Sequence, residues 1–206
     1  MAAFDFAELP RLDPLPHEGT LALYWNFYWY EVPHDAAAKM DYVAATRAYY
    51  FAPGDRVVHP EPPRDSYPIE FNPLRGLAVA VAGEPGLVAR EIEGRSDSQA
   101  LFDAMNELAA AGLYPHHLLG APIEIQGPVL DGMRSLFDPK HQYLTEQSRS
   151  RFTAAERNSG DWLLLAQIDE DDGLVIADGG VLHFVMLRSD LAARRFDRVI
   201  GVMESH

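Results

Sequence analysis

Apolar and polar positions alternate most cleanly between Thr20 and Tyr30. There Leu21, Leu23, Trp25, Phe27 and Trp29 interleave with Thr20, Ala22, Tyr24, Asn26, Tyr28 and Tyr30. A period of two predicts a β-strand with the first set on the core and the second on the other face. Shorter runs predict further strands at Ala2–Phe6, Ala44–Phe51, Leu77–Val81, Leu87–Ile92, Trp162–Ile168, Val181–Leu187 and Val199–Met203. Both faces of Val181–Leu187 are apolar, which predicts a central strand with His183 in an otherwise apolar row. One stretch has a clear helical period. Leu101, Phe102, Met105, Leu108 and Ala109 form a stripe that Asp97 or Ser98 caps and Gly112 ends, predicting a helix near 97–111. Ser189 or Asp190 reads as the N-cap of a short helical turn at Leu191–Arg194, and Gln142–Arg157 as a loop with a marginal helix. Val32–Met40 is a polar link. HPEPPRDSYP, His59 to Pro68, cannot enter a ladder and is a surface loop.

Two stretches repeat one pattern. Gly19–Trp25 matches Gly180–Met186, and upstream Ala2–Asp5 matches Ala166–Asp169, with a gap three residues longer in the first copy. The fold expected is α+β and mostly β: antiparallel sheets from two pseudo-repeated strand–turn–strand units packed near each other, with one clear helix near 97–111. The whole of 1–206 reads as a single domain.

Composition narrows the partners. Hydrophobic residues make up 48% of the 206, enough for a sizeable core. The formal net charge of −14 argues against binding nucleic-acid phosphates or anionic membranes; it is compatible with steering toward a basic protein partner and equally with acidity that serves solubility alone. With zero Cys, no disulfide or thiolate site is possible. Asp5 and Glu8 interrupt what would be the apolar core of a signal peptide, and no run approaches the ~20 residues of a membrane span. A cytoplasmic protein is expected, with no cofactor.

Candidate chemistry is sparse. There is no G-x-S-x-G, H-E-x-x-H, G-x-x-x-x-G-K-[ST] or G-x-G-x-x-G. Catalysis is left open, leaning against an enzyme, and no catalytic residue is assigned. Tyr24, Asn26, Tyr28 and Tyr30 form an amphipathic row suited to an interface or to the wet edge of a core. Asp169, Glu170, Asp171 and Asp172 need water, a cation or a basic partner, and their spacing fails a calcium loop. His116 and His117 are adjacent and point apart, a poor metal pair, so no metal site is expected. His117, Gln126, Gln167 and His183 are the polar groups that would line a cleft between the two repeated units, or else close a buried network. Arg194, Arg195 and Arg198, the densest basic cluster, are expected to pair internally with Asp190 and Asp197.

Four pieces carry a family resemblance: FDFAELPRLDPLPHEGTLALYW (Phe4 to Trp25), HLLGAPIEIQG (His117 to Gly127), LLLAQIDEDD (Leu163 to Asp172) and ADGGVLHFVMLRSDLAARRFDRV (Ala177 to Val199). In this order they resemble the YwqG-like family of bacterial domains of unknown function. The chain departs from it at Met1, where the usual Gly-Gly, Pro-rich, W-P segment is lacking. The resemblance implies a mostly β fold and brings no established catalytic residues. Such domains resemble occupants of toxin–immunity neighbourhoods. The first functional expectation is therefore a protein-binding module, an immunity-like or regulatory partner of a basic protein. The alternative is a small-ligand binder or unrecognised hydrolase. Oligomeric state is not legible.

Overall fold

The polar–apolar alternation folds into two antiparallel sheets. The computed structural model describes residues 2–26, 41–55, 116–170, 174–176 and 179–205. The first sheet has the order β1 (Ala2–Asp5), β2 (Thr20–Trp25), β3 (Thr46–Phe51). The second has the order β4 (His117–Leu118), β5 (Trp162–Asp169), β6 (Val181–Leu187), β7 (Ile200–Glu204). Short helices join them: α1 (Tyr42–Ala45), α2 (Val129–Leu136), α3 (Glu146–Ser150), α4 (Ala154–Arg157) and α5 (Arg188–Ala192), with a 3-10 turn at Phe196–Arg198. The architecture is α+β and mostly β. Several expected elements lie outside the described residues: the helix near 97–111, the strands at 77–81 and 87–92, the link at 32–40 and the Pro-rich loop.

The internal repeat is carried into strand register. Ala2 pairs Leu23, Ala3 pairs Ala22, Phe4 pairs Leu21 and Asp5 pairs Thr20. At the matching positions Ala166 pairs Phe184, Gln167 pairs His183, Ile168 pairs Leu182 and Asp169 pairs Val181. The match continues into the third strand of each half, with Leu21 opposite Tyr50 and Leu182 opposite Met203. A close approach fixes the two matching glycines. A Cβ on Gly19 would stand 2.5 Å from the Phe51 carbonyl, and one on Gly180 would stand 3.0 Å from the Glu204 carbonyl.

The inner faces pack on each other. Leu21, Leu23, Phe184 and Met186 are fully buried in one hydrophobic cluster that spans both sheets. Each such side chain contributes about 1.5–3 kcal/mol. Trp25 lies flat against β7, and a Cβ on Gly201 would come within 2.6 Å of its ring. The Thr46 hydroxyl donates to the Tyr42 carbonyl at 2.6 Å and accepts the Gly201 N–H at 2.7 Å, tying β3 to β7.

Element ends differ from the sequence reading for local reasons. The second strand is described to Trp25, and residues 27–30 lie outside the described residues. The third starts at Thr46 rather than Ala44, because the Asp41 carboxylate caps Val43 and Ala44 N–H at 3.1 Å and winds 42–45 into a turn. Neither Ser189 nor Asp190 caps the turn before β7. Leu187 stands at that position with no side-chain cap, and Asp190 lies inside the helix. The segment expected to be a loop with a marginal helix holds two capped turns, and Thr153 with Glu156 forms a reciprocal capping box.

Candidate functional site

Because side chains on paired strands share a face, the register alone brings His117, Gln167, His183 and Val202 into one cross-strand row. Glu204 lies two residues along β7 on the same face. This face points away from the interface between the two sheets. The expected cleft between the repeated units is therefore not where these residues sit, since the sheets meet there through apolar side chains.

Segment 119–127 crosses the row as a strap. Leu119 (φ 58°) and Gly120 (φ 82°) turn the chain at one end and Gly127 (φ 152°) at the other. Polar side chains of the sheet hold the strap by its backbone. Ile123 N–H donates to Gln167 Oε1 at 2.7 Å, Ile125 N–H to Glu204 Oε2 at 3.0 Å and Gln126 N–H to Glu204 Oε1 at 3.2 Å. The Gln126 carboxamide donates to the Ser205 carbonyl at 2.6 Å, and His117 Nε2 meets the Ala121 carbonyl at 2.9 Å. His183 Nε2 lies 3.2 Å from Glu204 Oε2. Gln167 and His183 are both 0% exposed, yet Gln167 Nε2 and His183 Nδ1 have no hydrogen-bond partner among the described residues. Burial pushes the Glu204 carboxyl up, but His183 and the Ile125 and Gln126 N–H groups outweigh it and hold the group below the ordinary glutamate value.

The two described carboxylates of the acidic turn, Asp169 and Glu170, serve its own hairpin. Glu170 Oε1 accepts from Ile176 N–H at 2.6 Å and more loosely from Gly180 N–H at 3.4 Å. Asp169 sits half-buried beside it and accepts Glu170 N–H at 2.7 Å. Burial raises its pKa, against that hydrogen bond and the nearby His116. Asp171 and Asp172 lie outside the described residues, as do Tyr28 and Tyr30.

The tyrosine face begins as expected. Tyr24 is 38% exposed on the outer face of the first sheet, and Asn26, also exposed, gives its N–H to Ala45 at 3.0 Å. Tyr49, which the sequence reading passed over, is 50% exposed and meets Tyr24 edge to face at 5.8 Å. It was legible as the alternate position of an aromatic strand, Thr46 to Phe51.

The arginine cluster is spent internally, on Asp190 as expected but not on the Asp197 carboxylate. Asp190, 0% exposed, accepts Arg198 Nε at 2.8 Å, and Arg195 lies against its other oxygen as an ion pair without hydrogen-bond alignment. Arg198 also reaches Glu156 at 2.8 Å and the Arg151 carbonyl at 2.9 Å, over the Phe152 ring. Arg194 lies over the Tyr50 ring, and Asp197 offers its carbonyl to Arg151 rather than its carboxylate to an arginine. Two further carboxylates were missed. Asp41 gathers Thr145 and the Ser148 hydroxyl (2.7 Å), and Glu204 holds the strap. Glu204 left a faint mark as a lone carboxylate closing an apolar strand.

Chemically, the row offers a carboxylate-held imidazole and a buried carboxamide. Among the described residues no three His, Asp or Glu side chains gather as metal ligands, and no helix is long and apolar enough to cross a membrane. A family model for a domain of unknown function, DUF1963, matches residues 1–204, so the chain belongs to that family. No curated protein matches it.

Proposed function

We propose that this member of the DUF1963 family is a cytoplasmic protein-binding module, an immunity-like or regulatory partner of a basic protein. The observation that carries the reading is the exposed Tyr24–Tyr49 pair. The register places it on a face with Ala3, Ala22, Arg47 and Phe51, on a chain of net charge −14. Tyrosines give large, rigid contact area at low entropic cost, while the net negative charge of the chain steers a basic partner and disfavours acidic ones. The resemblance to YwqG-like domains of toxin–immunity neighbourhoods agrees with this picture.

The test is comparative capture from the native host at low and high salt, with wild type beside a Tyr24→Ala/Tyr49→Ala double variant. A basic protein held by wild type, released by salt and lost from the double variant is the expected result. The variant's stability should stay within about 0.5 kcal/mol of wild type, as for exposed positions. A partner that the double variant retains at equal strength would place the interface elsewhere and sink this reading.

A further inference from the structure

The strap and the row beneath it form a peptide–receptor pair within one chain. The strap is held chiefly by polar groups: its apolar side chains Ile123 and Ile125 are only half-buried, and Glu124 and Gln126 are exposed. It also fills its receptor incompletely. It brings N–H donors to Gln167 Oε1 and to both oxygens of Glu204, but brings nothing to Gln167 Nε2 or His183 Nδ1. A buried carboxamide with one end paired bears the desolvation of the other. In extended backbone the N–H and C=O of one residue point to the same side, so a carboxamide can pair with both. Ile123 uses only the first half of that match.

We propose that the face formed by Gln167, His183 and Glu204 is a binding site for the backbone of a peptide segment, occupied in cis by 121–126, which bends from Ile125 on, and open to a partner's segment when the strap swings on Leu119–Gly120 and Gly127. The incoming segment would give an N–H to Gln167 Oε1, a C=O to Gln167 Nε2 and further N–H groups to Glu204. This is backbone recognition read out by side chains. The site is separate from the tyrosine face, so it stands or falls independently of that reading.

Two measurements test it on the full chain. In hydrogen exchange of wild type, the amides of Ile123, Ile125 and Gln126 should exchange about a hundredfold faster than that of Phe184, reporting local opening. Equal rates would mean that the strap opens only with the whole fold, and would overturn the proposal. In the second, a labelled synthetic peptide, LGAPIEIQG, is titrated into wild type and into Ile125→Pro, whose strap has lost its N–H to Glu204. The variant should bind the peptide about tenfold more tightly, the worth of one hydrogen bond to a charged group. Adding Gln167→Met should abolish the gain. No peptide binding, or binding indifferent to Gln167→Met, would overturn the proposal, as would binding of a small carboxamide such as acetamide without the peptide.

Discussion

Residues 2–51 and 166–204 build the same three-stranded meander in the same register, and they differ in what their outer faces do. Where the first half has Ala3, Ala22 and Phe51, the second has Gln167, His183 and Glu204. The first face leaves Tyr24 and Tyr49 in water, and the second is crossed by the strap. Polar groups on a buried sheet face cost free energy unless hydrogen-bonded, and the strap supplies partners to Gln167 Oε1 and both Glu204 oxygens. The covering segment and the polar row therefore belong together, and among the described residues the first half has neither. The connection between the second and third strands differs in the same spirit. In the first half Asp41 anchors it through hydroxyls and N–H groups. In the second, Asp190 anchors it through two guanidinium groups. The loop between paired strands differs least: residues 6–19 in one half, the three-residues-shorter 170–180 in the other.

The largest effect should separate the two anchors. Asp190→Ala leaves Arg198, itself only 16% exposed, without its buried partner and should cost about 4 kcal/mol in urea unfolding. Asp41→Ala removes a half-buried carboxylate from neutral hydroxyl and N–H partners and should cost about 2 kcal/mol. Equal losses would show that the charge on the second anchor is immaterial.

The matching third-strand positions come next. Glu204→Ala strands His183 and two strap N–H groups and should cost about 3 kcal/mol, whereas Phe51→Ala, half-buried, should cost about 1 kcal/mol. Acid should act through the same residue. Because the folded pKa of Glu204 lies below its ordinary value of 4.5, its stabilisation is complete above that value and is lost as the pH falls through the lower folded one. Strap amides should lose exchange protection in that window in wild type. In Glu204→Gln that dependence should vanish. A strap whose protection is flat with pH would break the link between carboxylate and strap.

The smallest effect tests the sheet interface. Ala48 and Gly201 occupy matching positions, and the Trp25 ring stands where a Cβ on Gly201 would go. Gly201→Ala should cost about 2 kcal/mol through overpacking. Ala48→Gly should cost under about 1 kcal/mol, chiefly in backbone entropy. Comparable losses would mean that the halves pack alike after all.

Much of the fold was readable from one dimension because pleat and turn are local. Alternation marked β2, the all-apolar run marked β6 as central, and the copied Gly-started strand predicted two related units, whose register pairs match residue by residue. A strand's period is set by its own backbone, so it survives any tertiary arrangement. The candidate site was readable only in part. Gln167 and His183 drew notice as polar groups in apolar strands, but Glu204 did not, since its partners Ile125 and His183 are 79 and 21 residues away. Asp190 resembled a helix cap because Ser-Asp before a short apolar run is the usual signal, and the pull of Arg195 and Arg198 overrode it. Strand identity, the repeat and the acidic charge were thus settled by the chain's own order. Which face of the second sheet turned outward, which segment covered it and which carboxylate held that segment were set only when distant strands came into register, because a hydrogen bond between remote residues leaves no periodic mark on either.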